Sequence, residues 1–474
     1  MKKIFKLKFT LDQVVAMIHF QGDEAGATLR ATDVKPKFDR FLYRCIAKEF
    51  NIKLRTKSAK DQEDSLITTV KEYLIKNHKS WLIEPEAKHH ALNYRVRIFV
   101  NPSDIVKDEH GTLIESIKGK PNQNKTKNYF GAANYVLKET INGRTVVKRD
   151  GEGVGVHKVG NKYKNIKVEM MCFDEVLSKL IEKYFPVFMI ATGFGYASGK
   201  GYGSFVVKEV MKDGNISAVY NSSNSLTPLK LIKEYQNIMN YHTENILLYM
   251  IKDEEAKGDE LDRLGDIVEI NRYIKSGYNF PMKDKYYPSP LMKDYFKQGT
   301  RKNLINEKSA MKNVAIKAGV RLKTNRRPYS KEVKKVPYNA KRVYTRGLFG
   351  LAAEYKYLVV DNRDGLTFSV AAQTSDGRNF SRFANPITYR IIRNGDEYQI
   401  IMIVDVLPVK TLQELKPNVI FSSNYKSVES VHATIPSTNE FSMKEYLNEV
   451  LLKKRNRDED FFYYLCLVIE EMKG

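Results

Sequence analysis

The sequence predicts an α+β protein built from two halves, residues 1–220 and 221–474, that join near 215–230. Three observations lead to this fold class. Segments with alternating polar and apolar residues, typical of strands, occur in both halves. Amphipathic helical segments lie between them. The hydrophobic content of 42% over 474 residues is enough for two ordinary cores.

The first half mixes strand and helix signals. Asp33 is the expected N-cap of the first helix, with Pro36 in its first turn. Two signals are local turns: a hairpin at INGRTVV (141–147) and a glycine-rich loop after the second helix. In chain order we expect a strand at 2–10, an apolar run at 14–21, helix at 33–45, strand at 93–100, helix at 174–185 and a strand from 204.

The second half is predicted to be helical at both ends and β-rich between them. Residues 229–274 and 442–472 have mostly helical patterns. Between 346 and 407 lie strand-like runs, with a hairpin turn at NGDE (394–397). A basic insertion, 283–346, separates the first helical part from these strands.

Positive charge is the most informative property of the composition. The chain has 79 Lys and Arg against 56 Asp and Glu, a net charge of +23. Residues 283–346 hold 19 basic and 4 acidic residues, and residues 28–60 hold 10 and 3. Clustered cations are the electrostatic signature of a polyanion partner, because neutralised phosphates release counterions. Nucleic acid is the favoured partner, with an anionic membrane or a merely solvated basic surface as alternatives.

Other classes of protein are disfavoured. The apolar part of MKKIFKLKFTLDQVV is interrupted by charges, unlike a signal peptide, and no run approaches a membrane span. Cys45, Cys172 and Cys466 are too few and too far apart for a disulfide framework or a cysteine zinc site. We expect a cytoplasmic protein without metal, cofactor or membrane partner.

Five glycines lie in the segment TGFGYASGKGYGSFVV (192–207), which we call the glycine loop. This density indicates that the backbone there closely approaches another group, either a ligand or another part of the protein. The glycine loop lacks the first glycine and the hydroxyl of a P-loop and the third glycine of a dinucleotide fingerprint. A loop that faces a polynucleotide explains the mixture of glycines, a cation and aromatic rings. A structural turn is the alternative. The candidate RNA-binding residues here are Gly193, Gly195, Gly199, Lys200, Gly201, Tyr202 and Gly203.

Basic residues at the first helix and in the second half complete the candidate interface. A helix N-terminus beside a loop is a natural phosphate site, although a solvated amphipathic helix has the same pattern. The basic insertion interleaves cations with tyrosines, as in an arm that follows a nucleic-acid groove or in a long solvated insertion. The candidates are Arg30, Lys35, Lys37, Arg40 and Arg44 at the helix, Arg326, Arg327, Lys341, Arg342 and Arg346 in the insertion, and Arg378 and Arg382 in DGRNFSRF.

Two motifs together resemble the RAMP (repeat-associated mysterious protein) superfamily of CRISPR-associated proteins. LRATDVKPKFDRFLYR (29–44) opens a helix after an initial strand, and GKGYGSF (199–205) ends a glycine loop before a later strand. In the family segment R-x-S-x-K-G-x-x-R the matching positions are Arg30, Thr32, Lys35, Lys37 and Arg40. The order of the motifs is most similar to the large two-domain subunit of type III effector complexes.

The resemblance implies two ferredoxin-like (RRM-like) halves with a glycine-rich loop and large insertions. It also implies a ribonucleoprotein in antiviral defence, with guide or target RNA and other Cas subunits as partners. Our leading hypothesis is a non-catalytic RNA-binding subunit. The alternatives are a RAMP-type endoribonuclease, for which His19 and Asp23 are the candidate catalytic residues, and a basic nucleic-acid-binding protein outside CRISPR immunity.

Overall fold

The structure is a computed structural model. It describes residues 3–18, 29–54, 61–86, 90–101, 104, 115–116, 138–141, 144–147, 158–220, 227–243, 245–255, 258–280, 285–288, 290–291, 295–296, 304–323, 341–350, 354–360, 365–374, 377, 379–380, 383, 385–452 and 461–472.

Helices and strands are interspersed along both halves of the chain. The helices are α1 (Ala31–Glu49), α2 (Gln62–Asn77), α3 (Glu175–Ala191), α4 (Pro228–Met239), α5 (Glu260–Ser276), α6 (Glu307–Lys317), α7 (Leu407–Leu415), α8 (Met443–Leu447) and α9 (Phe461–Tyr464). The strands are β1 (Phe5–Gln13), β2 (Met17–Ile18), β3 (Tyr94–Phe99), β4 (Glu115–Ser116), β5 (Lys138–Ile141), β6 (Arg144–Val147), β7 (Lys158–Asn161), β8 (Ile166–Cys172), β9 (Phe205–Lys212), β10 (Asn215–Val219), β11 (Ile246–Asp253), β12 (Gly277–Phe280), β13 (Lys285–Pro288), β14 (Leu304–Asn306), β15 (Lys341–Val343), β16 (Glu354–Tyr357), β17 (Leu366–Gln373), β18 (Asn379–Phe380), β19 (Ile387–Asn394), β20 (Glu397–Asp405), β21 (Asn418–Ser423), β22 (Val431–Thr434) and β23 (Leu467–Glu471).

A five-stranded antiparallel sheet forms the centre of the first half, in the order β10-β9-β1-β8-β3. Within it Phe9 of β1 lies opposite Val168 of β8 and Val210 of β9. Buried and exposed residues alternate along the first half of β1, as the sequence predicts. Helices α1 and α3 cover one face, where the rings of Phe9 and Phe185 lie 4.5 Å apart.

The first helix begins earlier than expected. α1 starts at Ala31, and its N-cap is Arg30, whose carbonyl accepts hydrogen bonds from the amides of Asp33 and Val34. Asp33 therefore lies inside the first turn, where its negative charge still favours the helix N-terminus. Pro36 lies beyond the first turn, inside the helix.

The second long helix of the first half passes through a proline. Asp174 caps α3 by accepting hydrogen bonds from the amides of Val176 (2.9 Å) and Leu177 (3.0 Å). The helix then continues through Pro186 to Ala191, and every residue from 184 to 191 is buried. Burial of this segment outweighs the lost backbone hydrogen bond of Pro186.

The second half contains a sheet of order β19-β20-β11-β23, again antiparallel throughout. The chain between α5 and β19 contributes most of a separate sheet, in the order β14-β15-β22-β21-β17-β16 with β18 beside β17. The predicted hairpin turn at 394–397 connects β19 and β20. The basic insertion contains helix and strand, since β14, α6 and β15 lie within it.

Two segments with helical patterns form strands instead. Residues 246–253 are the central strand β11, and residues 467–471 are β23. β11 is buried on both faces, so its apolar run lacks the alternation that identifies a half-exposed strand. The helix α2 was not expected, because the sequence around it is polar and mixed.

The two sheets share one order of connections. In the first half the chain runs β1, α1, β3, β8, α3 and β9, and the fourth strand of this set lies beside the first. In the second half it runs β11, α5, β19, β20, the three helices α7, α8 and α9, and β23, with the same spatial order. Residues of β11, β19 and β20 pack into the core formed by α1 and α3, so the halves are joined by a shared core.

Candidate nucleic-acid interface

The glycine loop connects α3 to β9 and folds back on itself. The amide of Phe194 donates to the carbonyl of Gly203 (3.1 Å), and the amide of Gly203 donates to the carbonyl of Ala16 (3.0 Å). Gly195, Gly201 and Gly203 have positive φ, a conformation that favours glycine.

Three of the five predicted glycines face protein atoms. A Cβ added at Gly203 would overlap the carbonyl oxygen of Phe194, and one at Gly201 would lie 2.8 Å from Ile267 Cδ1 of α5. At Gly193 it would lie 2.8 Å from the carbonyl oxygen of Ser198. Close packing within the protein therefore explains these three positions without a ligand, which favours the structural-turn alternative for them.

The loop also joins the two halves. The carbonyl of Gly199 accepts a hydrogen bond from the amide of Tyr389 (3.0 Å) on β19. The buried guanidinium of Arg390 donates to the carbonyls of Ala191 (2.9 Å) and Ser198 (2.7 Å). Burial lowers the pKa of Arg390 to about 10. The sequence signal that we missed is an arginine inside the apolar strand ITYRII.

Tyr202 does not present its ring to a base. Its side chain is buried in the core of the second half, with 8% of its surface exposed, and burial raises the pKa of its hydroxyl. The expectation that this ring stacks on RNA is therefore wrong, because an unpaired base cannot reach it. Gly195, Gly199 and Lys200 remain partly exposed.

The basic residues of α1 diverge rather than forming one patch. Four of them form ion pairs: Arg30 with Asp33 (3.0 Å), Lys35 with Asp39 (2.7 Å), Arg44 with Glu63, and Lys48 with Glu234 (2.9 Å).

Lys37 and Arg40 are the remaining cations of this helix. The ammonium of Lys37 donates to the carbonyl of Gly193 (3.3 Å) and lies 4.8 Å from the ring centre of Phe194. Desolvation and the charge of Arg390 lower the pKa of Lys37. Arg40 is exposed and has no ionic partner in the described part of the chain.

A group of cations lies where the glycine loop meets the second half; we call it the seam cluster. Burial and the charge of Arg272 lower the pKa of Lys200, and burial, together with Arg346 and Lys200, lowers the pKa of Lys275 to about 8. Lys275 also donates a hydrogen bond to the carbonyl of Phe349 (3.1 Å). The seam cluster consists of Lys200, Arg272, Lys275, Lys308, Lys312 and Arg346.

One carboxylate, Glu307, faces these cations but is already engaged. It is buried and accepts hydrogen bonds from the amide (3.0 Å) and hydroxyl (3.1 Å) of Thr345, with Arg346 at 3.8 Å. Burial is the largest cause of the lowered pKa of Lys275, the charge of Arg346 lowers it further, and Glu307 opposes both effects without cancelling them. An anion that enters here would gain from the excess charge in a partly desolvated position.

The other predicted residues lie elsewhere. Lys341 pairs with Glu440 (2.7 Å), and Arg342 is exposed on β15. Of the predicted insertion residues that the structure describes, Arg346 alone is in the seam cluster. Outside the described residues lie His19, Asp23, Arg326, Arg327, Arg378 and Arg382.

The side chains described here form no group of three or more His, Cys, Asp or Glu arranged to hold a metal ion. A search of the described helices finds none with the length and apolar character needed to cross a bilayer.

Two family models together match most of the chain. A family model for the Cmr1 N-terminal domain matches residues 4–278, and one for the Cmr1 C-terminal domain matches residues 286–472. No curated protein matches the sequence significantly.

The solved structures that resemble the chain share little sequence with it. The crystal structure of apo Cmr1 from Pyrococcus furiosus is 9% identical, with coverage of 84% of this chain and 87% of that one, at a TM-score of 0.35. A chain of the type III-B Cmr-beta complex bound to cognate target RNA, determined by cryo-EM, is 10% identical, with coverage of 90% and 97%, at a TM-score of 0.38.

Proposed function

The chain belongs to the Cmr1 family, and from this premise we propose that it is an RNA-binding subunit of a CRISPR effector ribonucleoprotein that holds guide or target RNA. The family match confirms the predicted resemblance to the RAMP superfamily of CRISPR-associated proteins, and in particular to a subunit of type III complexes. Other Cas subunits are the expected protein partners.

The seam cluster carries the proposal. Cations from the glycine loop, α5, α6 and the segment after β15 interact electrostatically with one another, and the engaged carboxylate of Glu307 acts on three of them, Lys275, Lys308 and Arg346. Holding like charges together in a partly desolvated position costs free energy unless an anion compensates them. The phosphates of an RNA strand provide that compensation at regular spacing.

The proposed architecture is two ferredoxin-like halves, residues 1–220 and 221–474, with an insertion at 283–346. Strand–helix–strand–strand–helix–strand is the chain order of such a domain. The matching connections of the two sheets support this assignment. RNA-recognition modules also use an open four-stranded sheet.

Substitution of two seam lysines tests RNA binding. We expect Lys200→Ala with Lys275→Ala to weaken binding of single-stranded RNA by ~10- to 100-fold and to reduce the salt slope by about two, since each removes one phosphate contact. Fluorescence anisotropy with labelled RNA at several salt concentrations measures both. The matched control is Lys356→Ala, an exposed lysine paired with Glu354 on β16.

A second control separates burial from recognition. Tyr202→Phe keeps the ring in the core and should leave RNA affinity unchanged. Equal affinities for the lysine variant and the wild type, with folding intact, would reject the seam cluster as the RNA site. Efficient cleavage of the same RNA by the isolated protein would instead favour the endoribonuclease alternative.

A further inference from the structure

The face of the five-stranded sheet that α1 and α3 do not cover is open. On β1 the side chains of Lys6 and Lys8 are exposed, while the intervening residues are buried against the helices. On the edge strand β3, Arg95, Arg97 and Phe99 are exposed. Phe99 has 48% of its surface accessible, which is unusual for so large an apolar side chain.

Strand register places these side chains in three parallel rows across β1, β8 and β3. Arg97 lies opposite Glu169, which lies opposite Lys8. The flanking rows are Arg95, Met171 and Lys6 on one side, and Phe99, Lys167 and Thr10 on the other. Residues directly opposite each other in an antiparallel sheet point to the same face. We call this surface the open sheet face.

The charges of this surface are unbalanced. On β1, β8 and β3 it carries five cations and one carboxylate, Glu169, which already pairs with Lys8 at 2.9 Å. A second carboxylate, Glu209 on the neighbouring strand β9, lies opposite Thr10 at the border of this surface. Lys167 donates to the hydroxyl of Thr10 (2.7 Å). Arg95 and Arg97 have no ionic partner among the described residues. Two guanidinium groups and an aromatic ring therefore lie along one strand, separated by one residue each.

We propose that the open sheet face is a second contact surface for single-stranded RNA, with Phe99 stacking on a base and Arg95 and Arg97 binding phosphates. The choice of RNA as ligand rests on the proposed function above. At ~3.3 Å per residue, the run from Arg95 to Phe99 extends about 13 Å along the strand. An aromatic platform bordered by cations on an open antiparallel sheet suits unpaired bases with little sequence preference.

The composition favours RNA over a protein partner. Protein interfaces are depleted of lysine at their cores and bury apolar residues there. On the open sheet face, three lysines and two arginines outnumber the exposed apolar side chains, and its aromatic ring lies at the sheet edge. Charge complementarity therefore points to a polyanion.

A tryptophan reporter tests base stacking. Phe99→Trp adds one indole to a chain whose single tryptophan, Trp81, is fully buried. We expect oligoadenylate to quench the fluorescence of the new indole as a base stacks on it. The matched control is Leu358→Trp, at a position of the second half that is 58% exposed, whose indole should be unaffected.

Charge removal tests the phosphate contacts. Arg95→Gln with Arg97→Gln should lower RNA affinity about tenfold and reduce the salt slope by about two. Lys356→Gln with Arg393→Gln removes two exposed cations from other strands and should leave both quantities unchanged.

The outcomes distinguish this inference from the proposed function. If the seam lysine variant loses affinity while Arg95, Arg97 and Phe99 variants behave like wild type, the open sheet face is not an RNA site and the proposed function stands. If the wild-type protein binds no RNA at any salt concentration, both proposals fail. An indole at Phe99 that RNA leaves unchanged, but that assembly with other subunits quenches, overturns the inference in favour of a protein contact.

Discussion

RNA affinity should decrease as pH rises from 7 to 9, and Lys275 should contribute to the decrease. Burial, and next the charge of Arg346, lower the pKa of Lys275 from 10.5 to about 8. Glu307 opposes them with a smaller effect, and Lys200 lowers the pKa slightly further. A phosphate bound beside it favours the charged ammonium and raises this pKa again. Above pH 7, where the free lysine begins to lose its proton, Lys275 therefore takes up a proton when RNA binds.

The pKa fixes the size of the effect. With a pKa of about 8, the charged fraction of Lys275 falls from about 90% at pH 7 to about 10% at pH 9. If the bound form stays protonated, affinity falls about tenfold, or about 1.4 kcal/mol. Stability of the free protein should change in the opposite direction. The folded state binds fewer protons than the unfolded chain between pH 8 and 10.5, so the contribution of Lys275 to stability rises with pH there.

Anisotropy titrations at pH 7, 8 and 9 with oligoadenylate measure the dependence, since neither adenine nor the phosphodiester group titrates in this range. Lys275→Arg is the decisive variant, because arginine stays charged throughout and should remove the part of the decline that comes from this lysine. Lys308, whose pKa burial also lowers to about 8, contributes to the remainder. Lys356→Arg, on an exposed strand, should retain it. A tenfold decline that persists unchanged in Lys275→Arg would refute the assignment to this lysine.

Two further predictions concern stability. Gly203→Ala should lower the free energy of unfolding by ~2–4 kcal/mol in urea denaturation, because its Cβ would overlap the carbonyl of Phe194 at positive φ. The control Gly214→Ala, also at positive φ but with nothing within 4 Å, should lower it by only ~1 kcal/mol. Equal losses in the two variants would contradict the packing argument. Arg390→Ala should lower the free energy of unfolding by ~2–4 kcal/mol, since it removes the donor to the carbonyls of Ala191 at the end of α3 and of Ser198 in the loop. The control is Arg393→Ala, at an exposed arginine, which should change the free energy of unfolding by less than ~0.5 kcal/mol.

Strands β1 and β3, with one exposed face, could be predicted from the sequence, and the doubly buried strand β11 could not. The equally buried strands β19 and β20 were predictable because the turn signal NGDE (394–397) lies between them. β1 and β3 alternate because one side of the sheet faces solvent. In β11, Leu248 and Met250 pack into the core of the first half, whereas Tyr249 and Ile251 pack into that of the second. Both faces of β11 are therefore apolar, one against each core, so its sequence shows no alternation that would distinguish a strand from a helix.

The sequence was enough to predict a basic site at the glycine loop, but not which residues form it. Glycine density indicated a close approach, yet it does not reveal whether the approaching atoms belong to a ligand or to the protein. Arg272 and Lys275 lie in a segment whose helical pattern was recognised, but their position beside Lys200 depends on tertiary packing. In the same way, the ion pair of Arg44 on α1 with Glu63 on α2 depends on which helix faces α1.

The glycine loop and the seam cluster depend on the same packing contact between the two halves. Because Gly201 has no Cβ, Ile267 of α5 can pack directly on the loop. That contact fixes α5 against the loop, and the following turn of the helix carries Arg272 and Lys275 beside Lys200. Neither half of the chain holds the seam cluster alone, since one supplies the loop lysine and the other supplies the remaining cations. The packing that joins the halves is therefore also what concentrates the positive charge, and an anion bound there would contact both halves at once.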